Sequence, residues 1–250
     1  VIELAGQLFG GNSHQINEVI RPDSAVSFLA LANYFKKRND VAEAMEMLRA
    51  AGSAGEQARR QYVGELITAK DFGNAYALWS PAHPGNKPGV LVDPGFEQEQ
   101  ALDEGGFGWR TDSKAPAVSL SLDPANPKDG RSSLRVDFNG DSDPGAAIIS
   151  QLVLVEPGRH YRFHFAYRTD ALVTGGPPQL LILDAKDNRV LGQSAGWPEN
   201  SDGWRDQTIE LVAGESTDAL LIAVQRDRCP KSPCPIFGRL WLDNFALEKE

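Results

Sequence analysis

The feature that most constrains this chain is a change of hydrophobic period across one short break. Pro81-Ala82-His83-Pro84-Gly85-Asn86-Lys87-Pro88-Gly89 holds three prolines and two glycines, so neither a helix nor a strand ladder continues through it. Before the break, apolar residues recur at intervals of three and four. After it, short apolar runs alternate with turn residues. A helical part over residues 1–82, a linker over 83–89 and an all-β part over 90–250 are therefore expected.

In the first part, Pro22-Asp23-Ser24 offers helix-start chemistry, and Val26, Phe28, Leu29, Leu31, Ala32 and Phe35 follow at helical spacing. Lys36-Lys37-Arg38 sits where cations favour a helix C-terminus. Asn39-Asp40 makes a turn, and Val41, Ala44, Met45, Leu48 and Ala51 form a second stripe. Ala58–Ala69 and Phe72–Trp79 make a second pair, and Ile2–Phe9 an earlier short helix ended by Gly10-Gly11.

Phe28, Leu31-Ala32, Phe35, Ala44, Leu48 and Ala51 resemble the pattern of the tetratricopeptide repeat. Leu66, Ala75, Trp79 and Ala82 continue it, while Arg59 stands where a large apolar residue is usual. The resemblance covers about residues 22–82 and implies a partner-binding surface. Two hairpins are too few for a free solenoid. With a chain that starts at Val1, this leads us to expect a segment of a longer precursor.

Past the linker, strands are expected near Val90–Phe96, Ala117–Leu122, Ser133–Phe138, Ile148–Val155, His160–Thr169, Gln179–Leu183, Arg189–Gln193, Asp206–Val212, Ala219–Gln225 and Arg239–Leu247. Leu240 and Leu242 fall out of phase with Phe245 and Leu247, which predicts a bulge at Asp243-Asn244. This last strand is expected to close the sandwich against Val90–Glu97. Tyr161, Phe163, Phe165 and Tyr167 share one strand face, the core face, with Arg162, His164 and Arg168 on the other.

Charge narrows the partners. The formal net charge is −9, which disfavours nucleic acid and anionic membranes. Residues 1–88 hold nine acidic and nine basic side chains, so the whole excess lies in the β part. No apolar run approaches the roughly 18 residues of a membrane-spanning helix.

Several residue patterns invite chemistry. Cys229 and Cys234 flank Pro230-Lys231-Ser232-Pro233, and two prolines pre-bend that loop toward a disulfide, implying export. Asp137, Asn139, Asp141 and Asp143 have alternate spacing but lack the glycine and terminal glutamate of a calcium loop, and read as a solvated loop. Gly192-Gln193-Ser194-Ala195-Gly196 matches a nucleophile elbow, yet the residues after it cannot form the required helix. His160 and His164 lie about 13 Å apart on a strand and cannot share a metal. Trp197 sits in a polar loop and is the exposed aromatic expected to stack on a sugar. Arg162, His164, Arg168 and, on a neighbouring strand, Gln225 are expected to bond hydroxyls or form a solvated face.

Gly95-Phe96-Glu97, Gly108-Trp109, Gly130-Arg131-Ser132-Ser133-Leu134-Arg135-Val136, Gln151–Tyr161, Trp204 and Leu242-Asp243-Asn244-Phe245 succeed one another over about residues 90–248. This succession resembles the jelly-roll carbohydrate-binding modules of bacterial xylanases and cellulases. The resemblance implies a jelly-roll β-sandwich, packing roles for Trp109, Trp204 and Trp241, and a structural calcium. Its ligands would be the Glu97 and Asp243 side chains with backbone oxygens near Lys128 and Gly130. The alternative is that Asp243 pairs with an arginine or caps a turn.

The expected function is non-catalytic glycan binding in the periplasm or outside the cell, with the helices recruiting a protein partner, as in exopolysaccharide or envelope assembly. The alternative is a scaffold whose sandwich binds no sugar. No acid–base pair or nucleophile supports an enzyme.

Overall fold

The computed structural model describes residues 1–98, 105–111 and 117–250, with the Asp141 side chain outside that description. The chain divides into two compact units, Val1–His83 and Pro84–Glu250.

The first unit holds α1 (Ile2–Leu8), α2 (Ser13–Ile20), α3 (Ala25–Lys37), α4 (Val41–Ala50), α5 (Glu56–Thr68) and α6 (Phe72–Trp79). Side-chain caps set most of the starts: Asn12, Ser24, Asp40 and Asp71 accept the backbone N–H three residues on. Left-handed Asn39 and Lys70 end α3 and α5 and turn the chain back. Helix α3 packs on α4, and α5 on α6, through buried Leu31, Phe35, Ala44, Leu48, Leu66 and Ala75. Arg59 is only partly buried and pairs with Glu56, which is how a charge is tolerated there. Helix α2 was not foreseen. Its apolar residues Ile16, Val19 and Ile20 are too sparse to stand out, and only Ile16 is buried.

The second unit is a β-sandwich. Its strands are β1 (Val118–Asp123), β2 (Ser133–Asp141), β3 (Ile149–Leu154), β4 (His160–Thr174), β5 (Pro178–Asp184), β6 (Val190–Gln193), β7 (Arg205–Val212), β8 (Ala219–Arg226) and β9 (Pro235–Lys249). One sheet runs β1-β2-β9-β4-β7 and the other β3-β8-β5-β6, with antiparallel pairing throughout. Between them lies one core, including Trp109, Val136, Phe163, Ile182, Ile222, Leu242 and Phe245. Phe245 is the hub of its rings, with centroids of Phe96, Trp109, Phe163 and Phe165 at 5.4–5.7 Å, mostly edge-on.

Two expectations about the sheet ends need correction. Although Phe245 N donates to Pro94 O at 3.0 Å and Phe96 packs on Phe245, the last strand makes no ladder with Val90–Glu97. It lies in the middle of the five-stranded sheet, pairing with β2 and β4. Residues 90–97 form turns, because Asp93 and Phe96 take positive φ and Pro94 has no N–H to donate. The buried Gln151 amide holds this segment instead, accepting from Val92 N at 3.0 Å and donating to Val92 O at 2.9 Å. The bulge falls where phase predicted. His164 pairs with Ala246 and Ala166 with Asp243, so one residue of β4 faces two of β9, and Asn244 is left-handed.

Candidate functional site

The bulge carries Asp243 inward, where it is fully buried. Its Oδ2 accepts from Lys128 N at 2.8 Å and Asp129 N at 3.2 Å, and its Oδ1 from Asn244 N at 2.6 Å. Burial pushes its carboxyl above the usual range. Those three N–H groups pull against this, and the neighbouring Glu97 charge adds to it. Asp93 is raised for the same first reason, burial, with a smaller push from Glu97. Glu97 itself accepts from Arg131 N at 2.9 and 3.1 Å.

Gly130 makes room for the Glu97 carboxylate, and Gly95 lies beside both acids. A Cβ on Gly130, which has φ +66°, would overlap Glu97 Oε1. One on Gly95 would lie 3.7 Å from Glu97 Oε1 and 3.8 Å from Asp243 Oδ1. Next to them Phe96 holds a left-handed backbone that a bulky residue avoids, kept in place by its buried ring and by Ser132 Oγ donating to its carbonyl at 2.7 Å. Two hard-oxygen carboxylates aimed at one glycine-walled space fit a calcium ion chemically. Among the described residues no group of three or more His, Cys, Asp or Glu gathers there, so any further donors would be carbonyls or water. Lys128 meets the Asp243 carboxylate through its backbone N–H.

The outward face of the five-stranded sheet gathers three of the residues expected to bind sugar. Strand β4 presents Arg162 and His164, and Arg168 beyond the bulge. Arg162 pairs with Glu210 at 3.6 Å and Glu250 at 2.5 Å. His164 Nδ1 lies 2.9 Å from Thr208 Oγ1, and its Nε2 lies 3.5 Å from Glu248. His164, Thr208 and Glu248 line a groove of about 390 Å³ with Asp206, Gln207 and Asn244, and Arg162 lies outside it. Arg168 donates to Asn126 at 2.7 Å and lies over Trp241, its guanidinium 5.0 Å from the ring centre. Arg135 and Arg239 lie 5.8 and 5.9 Å from the same ring. Trp241 is buried beneath them and donates to Asp123 at 2.8 Å. Burial pushes Asp123 up, but the bonds from Trp241, Asn126 and Ala125 and the Arg135 charge outweigh it and hold it below the usual range.

Trp197 is not exposed. It is 2 % accessible, stacked on Tyr167 at 5.2 Å, and it donates to Gln207 Oε1 at 3.3 Å. Gly196 lets its loop close on Pro177, which turns the ring into the core. The residue therefore supports the groove through Gln207 and does not face it. Gln225 also departs from expectation. It lies on β8 of the other sheet, opposite Gln179, and donates weakly to Gly145 O at 3.4 Å. At the β3 edge of that sheet Arg110 pairs with Ser150 through the backbone, and its buried Nε has no hydrogen-bond partner among the described residues. Burial lowers its pKa.

Other expectations fare as follows. Ser194 is buried, accepts from Leu180 N and donates to Ala195 O, so it is a structural hydroxyl and the elbow match is accidental. Cys229 and Cys234 form a disulfide, with Cα atoms 5.7 Å apart. The acidic run is not a loop: Asp137, Asn139 and Asp141 belong to β2, with Asp137 paired to Arg135 and the Asp141 side chain outside the description, and Asp143 caps the following turn by accepting from Gly145 N. Thr208, Asn244, Asp206 and Glu248 were missed in the sequence. Only Asn244, at the bulge, carried a local signal.

No family model matches the chain, and no curated protein matches it. Solved structures of similar shape include three carbohydrate-binding proteins. One comprises a family 22 carbohydrate-binding module and hydrolase module of a Clostridium thermocellum xylanase complexed with xylohexaose. It has 13 % identity and a TM-score of 0.43, covering 64 % of this chain and 28 % of that one. A family 4 carbohydrate-binding module has 11 % identity and a TM-score of 0.44, covering 64 % of this chain and 99 % of that one. A family 61 module in complex with β-1,4-galactotriose has 20 % identity and a TM-score of 0.40, covering 66 % and 100 %. At these values no functional step rests on the likeness.

Proposed function

We propose that the sandwich is a non-catalytic saccharide-binding module, with its site in the groove at His164. One observation carries this reading. Imidazole, hydroxyl, amide and carboxylate groups from three adjacent strands line one open groove, and neighbours hold several of them in place. Such a set both donates and accepts, as a ring of hydroxyls requires. The sequence resemblance to jelly-roll modules agrees with it. Calcium held by Glu97 and Asp243 would lock the bulge that delivers Asn244 to the groove. The disulfide suits an oxidising, extracytoplasmic setting. The helical unit serves as a protein-docking element.

A second location for the site has one observation in its favour, at the edge of the four-stranded sheet beside Ser150, where the buried Nε of Arg110 has no hydrogen-bond partner among the described residues. A glycan array followed by titration of its best hit separates the two. His164→Ala and Asn244→Ala should weaken binding about tenfold or more, while Arg110→Ala and Gln225→Ala leave it unchanged. The reverse pattern moves the site to the other sheet. An array without hits for the intact protein defeats the saccharide reading and favours a scaffold.

A further inference from the structure

Phe237 is exposed where an aromatic ring is ordinarily covered. It is 49 % accessible, and every other aromatic side chain among the described residues is more deeply covered. It stands on the outward face of β9, two residues from Arg239 and four from Trp241. Across the ladder it faces Val173, itself 58 % accessible. A second irregularity places this pair. Ala171 and Leu172 of β4 stand opposite Gly238 alone, and a Cβ on Gly238 would overlap Ala171 O. The bulge sends Leu172 into the core and Val173 outward beside the ring.

The side chains between Phe237 and the His164 groove are planar or polar, and their charges are matched in ion pairs except at Arg168, which bonds the Asn126 amide that in turn donates to Asp123. Arg239 pairs with Asp170 at 2.8 Å, Arg135 with Asp137 at 2.6 Å, and Lys128 with Asp206 at 2.9 Å. A face so compensated offers no surplus field to a charged polymer. It offers hydrogen-bonding edges along its length and one apolar ring at its end. Phe237 and Ala246 are nine residues apart on one strand, which at about 3.3 Å per residue is roughly 30 Å.

We infer that Phe237 and Val173 form a distal subsite, and that the occupant of this face is an extended, neutral polysaccharide lying along β9 from the groove to Phe237. The apolar face of one sugar ring packs on Phe237 while its hydroxyls meet Arg239 and Asp170. This rests on the saccharide reading of the groove and adds the length and charge class of the ligand. Binding at both ends of one rigid face makes affinity rise with chain length.

Affinity electrophoresis of the full chain through gels containing xylan, mixed-linkage glucan, galactan or galactomannan tests it, with di- to octasaccharide fragments of the retarding polymer titrated in solution. For the intact protein, the octasaccharide should bind about tenfold or more tightly than the disaccharide. Phe237→Ala should erase that difference and leave disaccharide binding intact, and Phe237→Trp should restore it. His164→Ala should weaken fragments of every length. If Phe237→Ala binds the octasaccharide as tightly as the intact protein while His164→Ala does not, the distal subsite is wrong and the groove reading stands. If no polymer retards the intact protein, both fail. A charged polymer as the sole retarding one, or dimerisation that Phe237→Ala abolishes, also overturns the inference.

Discussion

Replacing Asp243 separates a structural carboxylate from a metal ligand. The side chain accepts three backbone N–H bonds, from Lys128, Asp129 and Asn244, in a fully buried setting. Asp243→Ala strands all three donors, and at about 1–3 kcal/mol for each unmet buried group the loss is upwards of about 3 kcal/mol. Asp243→Asn keeps an oxygen for Lys128 and Asp129 and turns an NH₂ toward Asn244 N, so one bond is lost and the expected cost is about 1–3 kcal/mol. A calcium ion bound only to the folded state adds about 2.7 kcal/mol at a hundredfold excess over its dissociation constant. For a unit of this size that is about 5–10 °C in melting temperature. Calorimetry of the intact chain with calcium and with chelator should show this difference, and Asp243→Asn should remove it while still folding.

Acidity gives an independent check on the same site. The folded-state pKa of Asp243 and that of Asp93 are raised, so without metal their favourable contribution is present below the unfolded carboxyl pKa and is lost as pH rises through the folded value. In chelator, the sandwich should therefore lose this contribution on going from the acid side toward neutrality. Calcium should reverse the trend, because the ion competes with protons for the same oxygens. Equal melts with calcium and chelator for the intact protein, with no metal by elemental analysis, would refute the site and leave the three N–H bonds as the whole explanation of Asp243.

Trp197→Ala should cost about 3–5 kcal/mol as a core cavity, read by denaturant unfolding. If the loss is near zero, the ring is not packed on Tyr167 as described. Mass spectrometry should find Cys229 and Cys234 two protons lighter than the free thiols, and reduction should cost about 2 kcal/mol for so short a loop. Unchanged unfolding after reduction would show that Arg226, which donates to Cys234 O at 2.7 Å, holds this end alone. Limited proteolysis should cut within Ala82–Gly89 and leave a fragment starting near Val90, since Leu91 is already core and Val92 is tied to Gln151. A linker that resists while the sandwich is degraded would contradict this.

The periodic parts of the chain were legible. Alternation along His160–Thr169 placed the aromatic core face of β4, and the phase slip at Asp243-Asn244 located the bulge to the residue. Both signals are local. Trp197 could not be read, because its burial depends on Tyr167 and Gln207, thirty residues before it and ten after. Gln225 was assigned to the wrong sheet because pairing order is a long-range property that the spacing of strands does not encode. Val90–Glu97 has strand-like composition, but two left-handed residues and one distant amide decided its shape.

The position of β9 has a consequence for how the chain is made. It is the last of its sheet's strands in chain order and the middle one in space, joining β2 to β4. Until Lys249 has emerged, β1 and β2 form one hairpin-like piece and β4 and β7 another, with nothing to connect them. Roughly 75 residues separate the end of β4 from the end of β9. At about 5–20 residues per second, the ribosome leaves the flank of β4 unpaired for about 4–15 s, and that of β2 for longer. During that interval Leu134, Val136, Phe163 and Phe165 lie on strands that lack their central partner, so the five-stranded sheet can close only once β9 is made.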